Sequence, residues 1–305
     1  MSDDIPFNKT FDLPAEQVEE VVPGIRRIVC DNPGPFTFTG TVSYIVGRGQ
    51  VAIIDPGPDD ERHVAALLDA VSGETVTHIF VTHTHRDHSP AVPRIKAATG
   101  APVCAEGPHR AARPLQVGEG ARLDASADME FVPDIALPDG AVVTGHGWTL
   151  EAVTTPGHTA NHMAFAFREA NALFSGDHVM GWATTIVAPP DGAMSDYMDS
   201  LHKLARRSEE IYFPGHGPEI RAAPRFVQRY IRHRQGREAS ILHRLGKSPT
   251  DIPTLVRAIY IGLDPRLAKA AGLSVLAHLE DLVARGMVAT EGAPSITGTY
   301  RRLDF

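Results

Sequence analysis

Val76-Thr77-His78-Ile79-Phe80-Val81-Thr82 runs directly into His83-Thr84-His85-Arg86-Asp87-His88, and the fold follows from that junction. The β-branched apolar run reads as a buried strand, so the ligand-type side chains after it stand on a loop at a strand end. Residues two apart in an extended segment point the same way, which lets His83 and His85 share one ion while Asp87 and His88, further round the turn, serve a second. Three more candidates follow in the same setting. His158 sits in Thr155-Pro156-Gly157-His158-Thr159 after an alternating strand over 148–154; Asp177 follows Ala172-Leu173-Phe174-Ser175-Gly176; His216 sits in Pro214-Gly215-His216-Gly217 after Ile211-Tyr212-Phe213. Strand-end loops are where such folds carry chemistry. Imidazole nitrogen and carboxylate oxygen both suit zinc, which takes about four ligands and leaves one position open in catalytic sites. A lone histidine is usually an ordinary surface or core residue, and His63, His109, His202 and His278 have no motif around them.

With these motifs the chain resembles the metallo-β-lactamase superfamily over about residues 32–217. The resemblance implies an α/β fold, an αββα sandwich of two mixed sheets packed face to face with helices outside, and a two-metal site on one edge. Carried over residue by residue, it implies His83, His85 and His158 around the first metal, Asp87, His88 and His216 around the second, and Asp177 bridging both. Two zinc ions are implied, with iron or manganese as alternatives. Asp55, in Asp55-Pro56-Gly57 after Val51-Ala52-Ile53-Ile54, matches a family aspartate that supports the ligand loop from behind, where such a partner fixes an imidazole's tautomer and orientation. The competing reading of Asp55 is a turn former before Pro-Gly. Two ions sharing a water lower its pKa towards about 7, so hydroxide is available at neutral pH. Asp87 is assigned as a ligand, able to take a proton in an empty site, and no independent general acid is evident.

Departures from the superfamily's branches narrow the chemistry. Zinc β-lactamases generally lack a bridging aspartate and, in some subclasses, carry cysteine at the place of Asp177. Flavodiiron oxygen reductases usually have glutamate at the place of His85. Thioester hydrolases resembling glyoxalase II, and mononuclear iron persulfide dioxygenases, share most of the ligand set. The entry Asn32-Pro33-Gly34-Pro35-Phe36-Thr37-Phe38-Thr39-Gly40-Thr41, together with Asp196-Tyr197-Met198-Asp199-Ser200-Leu201 and the 230–238 segment, resembles the beta-lactamase-like protein 2 group. That group includes a mitochondrial endoribonuclease specific for single strands. A group resemblance does not fix a substrate.

At 305 residues and 43% hydrophobic content, the chain is long enough for one large core and a small appendage. Cys30 and Cys104 lie outside the ligand set and read as reduced thiols. The acidic start lacks an apolar leader, and no stretch approaches about 18 uninterrupted apolar residues. A soluble cytoplasmic protein without a membrane partner is therefore expected.

The net charge of −8 is unevenly spread: residues 1–220 hold 15 Lys/Arg against 30 Asp/Glu, residues 221–247 hold 8 against 1, and residues 248–305 hold 6 of each. Three units are expected, a catalytic domain over 1–220, a basic linking helix over 221–247 and a winged-helix-like domain over 248–305. Arg221, Arg225, Arg229 and Arg232 recur at helical spacing and read either as a phosphate-binding stripe or as a solvated helix face. In the last unit, helices over 252–261 and 273–285, a short helix opened by Asp264-Pro265 and a hairpin over 287–300 give helix-helix-helix-wing. The third helix is expected to expose His278, Glu280 and Asp281. Without base-reading Arg or Asn, it suits a packing, dimerising or substrate-framing role better than DNA binding.

Three functions are weighed. The leading one is a two-metal hydrolase cutting single-stranded RNA, from the group resemblance and the arginine stripe. The second is a hydrolase of a small ester, thioester or lactone, favoured by the acidic catalytic domain and the scarcity of aromatic rings for base stacking. The third is a metal-responsive winged-helix regulator. A homodimer is compatible with any of these.

Overall fold

The computed structural model describes residues 5–117, 119–120, 126–246 and 248–303. The first sheet runs in the order β1 (Glu19–Val22), β2 (Ile25–Val29), β3 (Val42–Arg48), β4 (Gln50–Ile54), β5 (Thr75–Phe80), β6 (Val103–Ala105) and β7 (Ile135–Ala136). Its first four strands alternate in direction, and the last three join β4 in parallel. The second sheet runs β13 (Ile220–Arg221), β12 (Ile211–Pro214), β11 (Ala172–Gly176), β10 (Met163–Phe167), β9 (Trp148–Thr154) and β8 (Val142–Gly145). It is antiparallel except where β11 meets β12.

Strand periodicity sorts the core into layers. On β3, Tyr44 and Val46 face the second sheet while Ile45 faces outward; on β4, Ala52 and Ile54 point inward while Val51 and Ile53 point outward. Both faces are covered, so these strands read as unbroken apolar runs. Tyr44, Ile54, Phe80, Phe165, Phe174 and Phe213 fill the space between the sheets. Helices α1 (Glu61–Ala70) and α2 (Val92–Thr99) bury Val64, Leu67, Val92 and Ile95 on the first sheet. Helices α3 (Met194–Leu204) and α4 (Ala223–Arg244) bury Tyr197, Leu201, Phe226 and Tyr230 on the second. The αββα expectation is met. Strand β5 stops before Val81 and Thr82, because the Thr82 N–H leaves the ladder to donate to the Asp55 carboxylate at 2.7 Å.

The C-terminal region contains β14 (Thr250–Asp251), α5 (Ile252–Ile259), a 3-10 turn (Pro265–Leu267), α6 (Ala268–Ala284), β15 (Val288–Thr290) and β16 (Thr299–Arg302), with strand order β14-β16-β15. Asp251 caps α5 by accepting from the Thr254 N–H at 2.9 Å. The third helix starts earlier than its sequence suggests, since the turn opened by Asp264 runs into it without a break.

The expected exposure of α6 is corrected. His278 is buried, Glu280 accepts from Arg113 at 2.7 Å, and Asp281 pairs with Arg285 at 2.9 Å. The cause is packing on two faces. Val275, Leu276, Leu279 and Leu282 enter the winged-helix core, while Ala277 enters the core of the second sheet and the helix lies against α3. No helix among the described residues is long and apolar enough to cross a membrane.

Candidate metal centre

All seven sequence-predicted ligands converge on the edge where the two sheets meet. The sheets are tied together there by backbone, Met163 N donating to Thr82 O at 2.7 Å and Val42 N to Gly215 O at 2.8 Å, while Gly215 N donates to Gly176 O at 2.9 Å within the second sheet. Gly215 is required by proximity, since a Cβ there would lie 2.5 Å from Asp177 Oδ1 and 2.7 Å from His88 Cε1.

The donor atoms fall into overlapping sets, each with members within 4.8 Å of one another: His83, His85 and His158; His83, His88 and Asp177; Asp87, His88 and His216. In the first, His85 Nδ1 lies 3.2 Å from His83 Nε2 and 3.0 Å from His158 Nε2. In the last, Asp87 Oδ2 lies 3.4 Å from His88 Nε2 and 3.2 Å from His216 Nε2. Asp177 stands between them, with Oδ2 3.7 Å from His158 Nε2 and 3.3 Å from His216 Nε2, and Oδ1 3.6 Å from His88 Nε2.

Each histidine has its other nitrogen anchored from behind, which fixes the ring and leaves the inward nitrogen free to ligate. His83 Nδ1 meets Thr82 Oγ1 at 3.0 Å, His85 Nε2 meets Asp191 Oδ2 at 2.6 Å, and His88 Nδ1 meets Asp55 Oδ2 at 3.1 Å. His158 Nδ1 meets Ile186 O at 2.7 Å and His216 Nδ1 meets Gly40 O at 3.3 Å. Asp55 also accepts from the Thr82 hydroxyl at 2.6 Å. The Asp177 N–H donates to His162 Nε2 at 3.2 Å, so His162 turns its Nδ1 to Thr155 Oγ1 at 2.8 Å.

Two observations fit these residues to divalent cations. His88 Nε2 and Asp177 Oδ1 are buried without a hydrogen-bond partner, a costly arrangement for polar atoms unless a cation satisfies them. The electrostatics agree. Burial opposes the charge on His216, but Asp177 and Asp87 outweigh it and push its pKa up to about 9. Burial likewise opposes the charge on His88, which Asp87 and Asp177 nevertheless raise well above the ordinary value. Burial and the neighbouring His85 push His158 down to about 4. Protons on His88 and His216 thus balance the carboxylates in the metal-free site, and a bound cation replaces them.

The cluster floors a cavity of about 640 Å³. Phe36, Met180, Ile186, Ala188 and Pro189 make its sides, and Arg266, Lys269, Ala270 and Leu273, from the 3-10 turn and first turns of α6, make its roof. Lys269 is exposed, and Arg266 pairs with Asp264 at 2.7 Å.

The four arginines expected to bind phosphate do not line this cavity. Arg221 is exposed and pairs with Glu219 at 3.2 Å; Arg225 and Arg232 are exposed and Arg229 is half-buried on α4. Arg234, from the same basic run, is buried, donating to Thr185 O and standing 4.9 Å over the Tyr197 ring. Sequence reasoning missed Asp191, His109 and Lys269. His109 Nδ1 meets Thr84 Oγ1 at 2.8 Å, and its Nε2 lies 3.3 Å from Asp191 Oδ1. The signal for Asp191 was its Pro-Pro-Asp-Gly loop, readable as a pocket mouth but not as a histidine partner.

Two facing mixed sheets with this donor set on one edge define a metal-dependent hydrolase. The chain belongs to the metallo-beta-lactamase superfamily, whose family model matches residues 36–216; that of the beta-lactamase associated winged helix domain matches residues 252–296. Members of the superfamily bind divalent metals, and this chain is an enzyme of that class. It is 29% identical to the lactamase-like protein adaB of Aspergillus niger, with 95% of this chain and 93% of that protein aligned. It is 32% identical to the Beta-lactamase-like protein 2 homolog of Caenorhabditis elegans over 74% of this chain and 72% of the other. It is 33% identical to an Atrochrysone carboxyl ACP thioesterase of Aspergillus fumigatus over 76% and 67%. The fold matches a Beta-lactamase domain protein from Burkholderia ambifaria with a TM-score of 0.77 at 21% identity, covering 98% and 97% of the two chains. It also matches a metallo-beta-lactamase family protein from Thermus thermophilus with a TM-score of 0.73 at 23% identity, covering 93% and 100%.

Proposed function

We propose that this protein hydrolyses a small acyl thioester or ester whose apolar acyl group occupies the cavity between the metal centre and α6. The carrying observation is the cavity's composition: beyond the metal-site residues its lining is chiefly apolar, with Thr37, Ser126 and Asp191 as the polar exceptions on the sides and Arg266 and Lys269 beside Ala270 and Leu273 in the roof, and the arginine stripe lies elsewhere. A pocket lined chiefly by apolar side chains with a few convergent polar groups suits a small ligand. The named thioesterase among the relatives adds support.

In this reading His83, His85 and His158 would hold one divalent cation, zinc in the first instance, Asp87, His88 and His216 would hold a second, and Asp177 stands within reach of both sets. Metal bound there would supply an acidified water and polarise the substrate carbonyl. The protein's own part is to hold. Asp191 and Asp55 keep His85 and His88 in one tautomer, His162 fixes the Asp177 backbone, and α6 keeps water from the acyl group. Arg266 and Lys269 sit where an anionic portion of the substrate would leave the pocket. The sandwich is the catalytic unit, α4 completes its second sheet's core and runs on into the winged-helix region, and that region is the cover.

Single-stranded RNA is the second reading, favoured by Arg266 and Lys269 at the mouth. The two are separated by assaying zinc-loaded protein for thiol release from a panel of acyl thioesters, beside cleavage of an end-labelled RNA, with Asp177→Ala as the control for contaminants. Thiol release lost in the variant supports the thioester reading. RNA cleavage lost in the variant, without thiol release, overturns it in favour of the second.

A further inference from the structure

Beneath the metal centre lies a second polar cluster, Glu16, Ser43 and His63, with Cys30 beside it. Its geometry imitates a hydrolytic triad. His63 Nε2 meets Ser43 Oγ at 2.8 Å, and His63 Nδ1 meets Glu16 Oε2 at 2.8 Å. Ser43 is fully buried, however, and its hydroxyl donates to the Asp55 carbonyl at 2.5 Å. It does not line the metal cavity, so no substrate reaches it. Nor does the cluster call for a metal. Both His63 nitrogens are engaged, unlike His88 Nε2, and burial pushes the Cys30 thiol up to about 12, which keeps it protonated and a poor ligand.

What the cluster touches is Asp55. That residue has a φ of +49°, in the left-handed region that non-glycine residues seldom occupy and that persists only where surroundings over-determine it. Glu16, at the far end, has a φ of +61°. Asp55 is held by its own N–H donating to Phe80 O at 2.9 Å and by Ser43 on its carbonyl. Its carboxylate then meets His88 Nδ1. A second path runs alongside. His63 packs against Gly57, where a Cβ would come within 2.9 Å of the imidazole Cδ2, and the Gly57 N–H donates to the His88 carbonyl at 3.0 Å. His63 itself is fixed in the first turn of α1, where its N–H donates to the Asp60 cap at 3.1 Å.

We infer that Glu16, His63 and Ser43 form a positioning relay that holds Asp55 in its strained conformation and thereby orients His88 towards the ion it shares with Asp87 and His216. The inference rests on the two-metal reading of the site. The relay reaches His88 through Asp55 directly. It reaches His83 only through the additional Thr82 hydroxyl. One ion is therefore more dependent on it than the other.

The test titrates chelator-stripped protein with zinc against a chromophoric chelator, giving two affinities for the native chain and for Ser43→Ala, His63→Leu and Glu16→Gln, with the melting temperature of each metal-free variant taken alongside. In Ser43→Ala and His63→Leu one affinity falls about tenfold or more, the low end for losing a partner behind a ligand, while the other stays within about threefold. Glu16→Gln, which keeps an oxygen on His63 Nδ1, stays within about threefold at both. Should His63→Leu fail to fold, Ser43→Ala, which removes only a hydroxyl, decides the matter. A lower melting temperature with both affinities unchanged, or an equal loss at both, overturns the relay. Native protein that takes up fewer than two ions overturns the two-metal reading together with it.

Discussion

The floor of the cavity consists of two aspartates and histidines whose outer nitrogens are tied down, whereas its roof offers a leucine and two exposed cations from a 3-10 turn and the start of α6. The floor is held from four strand ends with the sheets cross-linked beneath it, and a displaced ligand there leaves buried charge unpaired. The roof is apolar contact and solvent-screened charge. On the proposed function, chemistry is fixed where geometry is over-determined, and selectivity would be carried where substitution is cheap.

The most severe way to break that contrast is Asp177→Ala. The several kcal/mol of charge stabilisation that a metal supplies correspond to roughly a thousandfold in kcat, so hydrolysis should fall at least that far with KM little changed. Asp191→Asn, at the cavity wall on the outer nitrogen of His85, should weaken metal binding about 10- to 100-fold, measured by zinc titration.

pH sharpens the contrast. In the metal-free protein His216 has a pKa of about 9 against an ordinary 6.5, so folding favours its charged form. That contribution is fully present below pH 6.5 and is lost as pH rises through about 9. Metal-free protein should therefore lose thermal stability from this site between pH 6.5 and 9, while metal uptake strengthens over the same range as protons leave the ligands. Melting curves with and without chelator read both.

Effects on the roof should be smaller. Lys269→Glu should change KM for an anionic thioester up to about fivefold with kcat intact, the scale of a screened surface charge. Arg225→Glu, on α4 away from the cavity, should leave both parameters within about twofold, as surface substitutions do. A large loss on the Arg225 change would restore that helix as a substrate surface.

The floor was legible because its ligands sit in local motifs at strand ends, from His83 to His88 and singly at His158, Asp177 and His216. Asp55 was legible from its turn. Asp191 and His109 were not, since what matters is a contact across more than a hundred residues from His85 to Asp191. The roof was harder still. The periodicity of α6 showed its winged-helix face through Leu276, Leu279 and Leu282, but its opposite face is small and mixed, so the packing of Ala277 on the sandwich and the burial of His278 left no pattern. The arginine stripe held only in part, since Arg225, Arg229 and Arg232 lie on α4 but Arg221 belongs to β13, and regular spacing on a helix says nothing about what the face overlooks.

Helix α4 has a consequence for how the chain folds. Its first half contributes Phe226, Val227, Tyr230 and Ile231 to the core of the second sheet, and Ile241 near its end belongs to the winged-helix core. One rod is therefore a structural member of both bodies. Neither hydrophobic core can dissolve without exposing part of the other's, so denaturation should proceed as one cooperative transition. The winged-helix region should then not come and go as a tethered accessory, and the pocket should gain its roof in the same event that completes the sandwich.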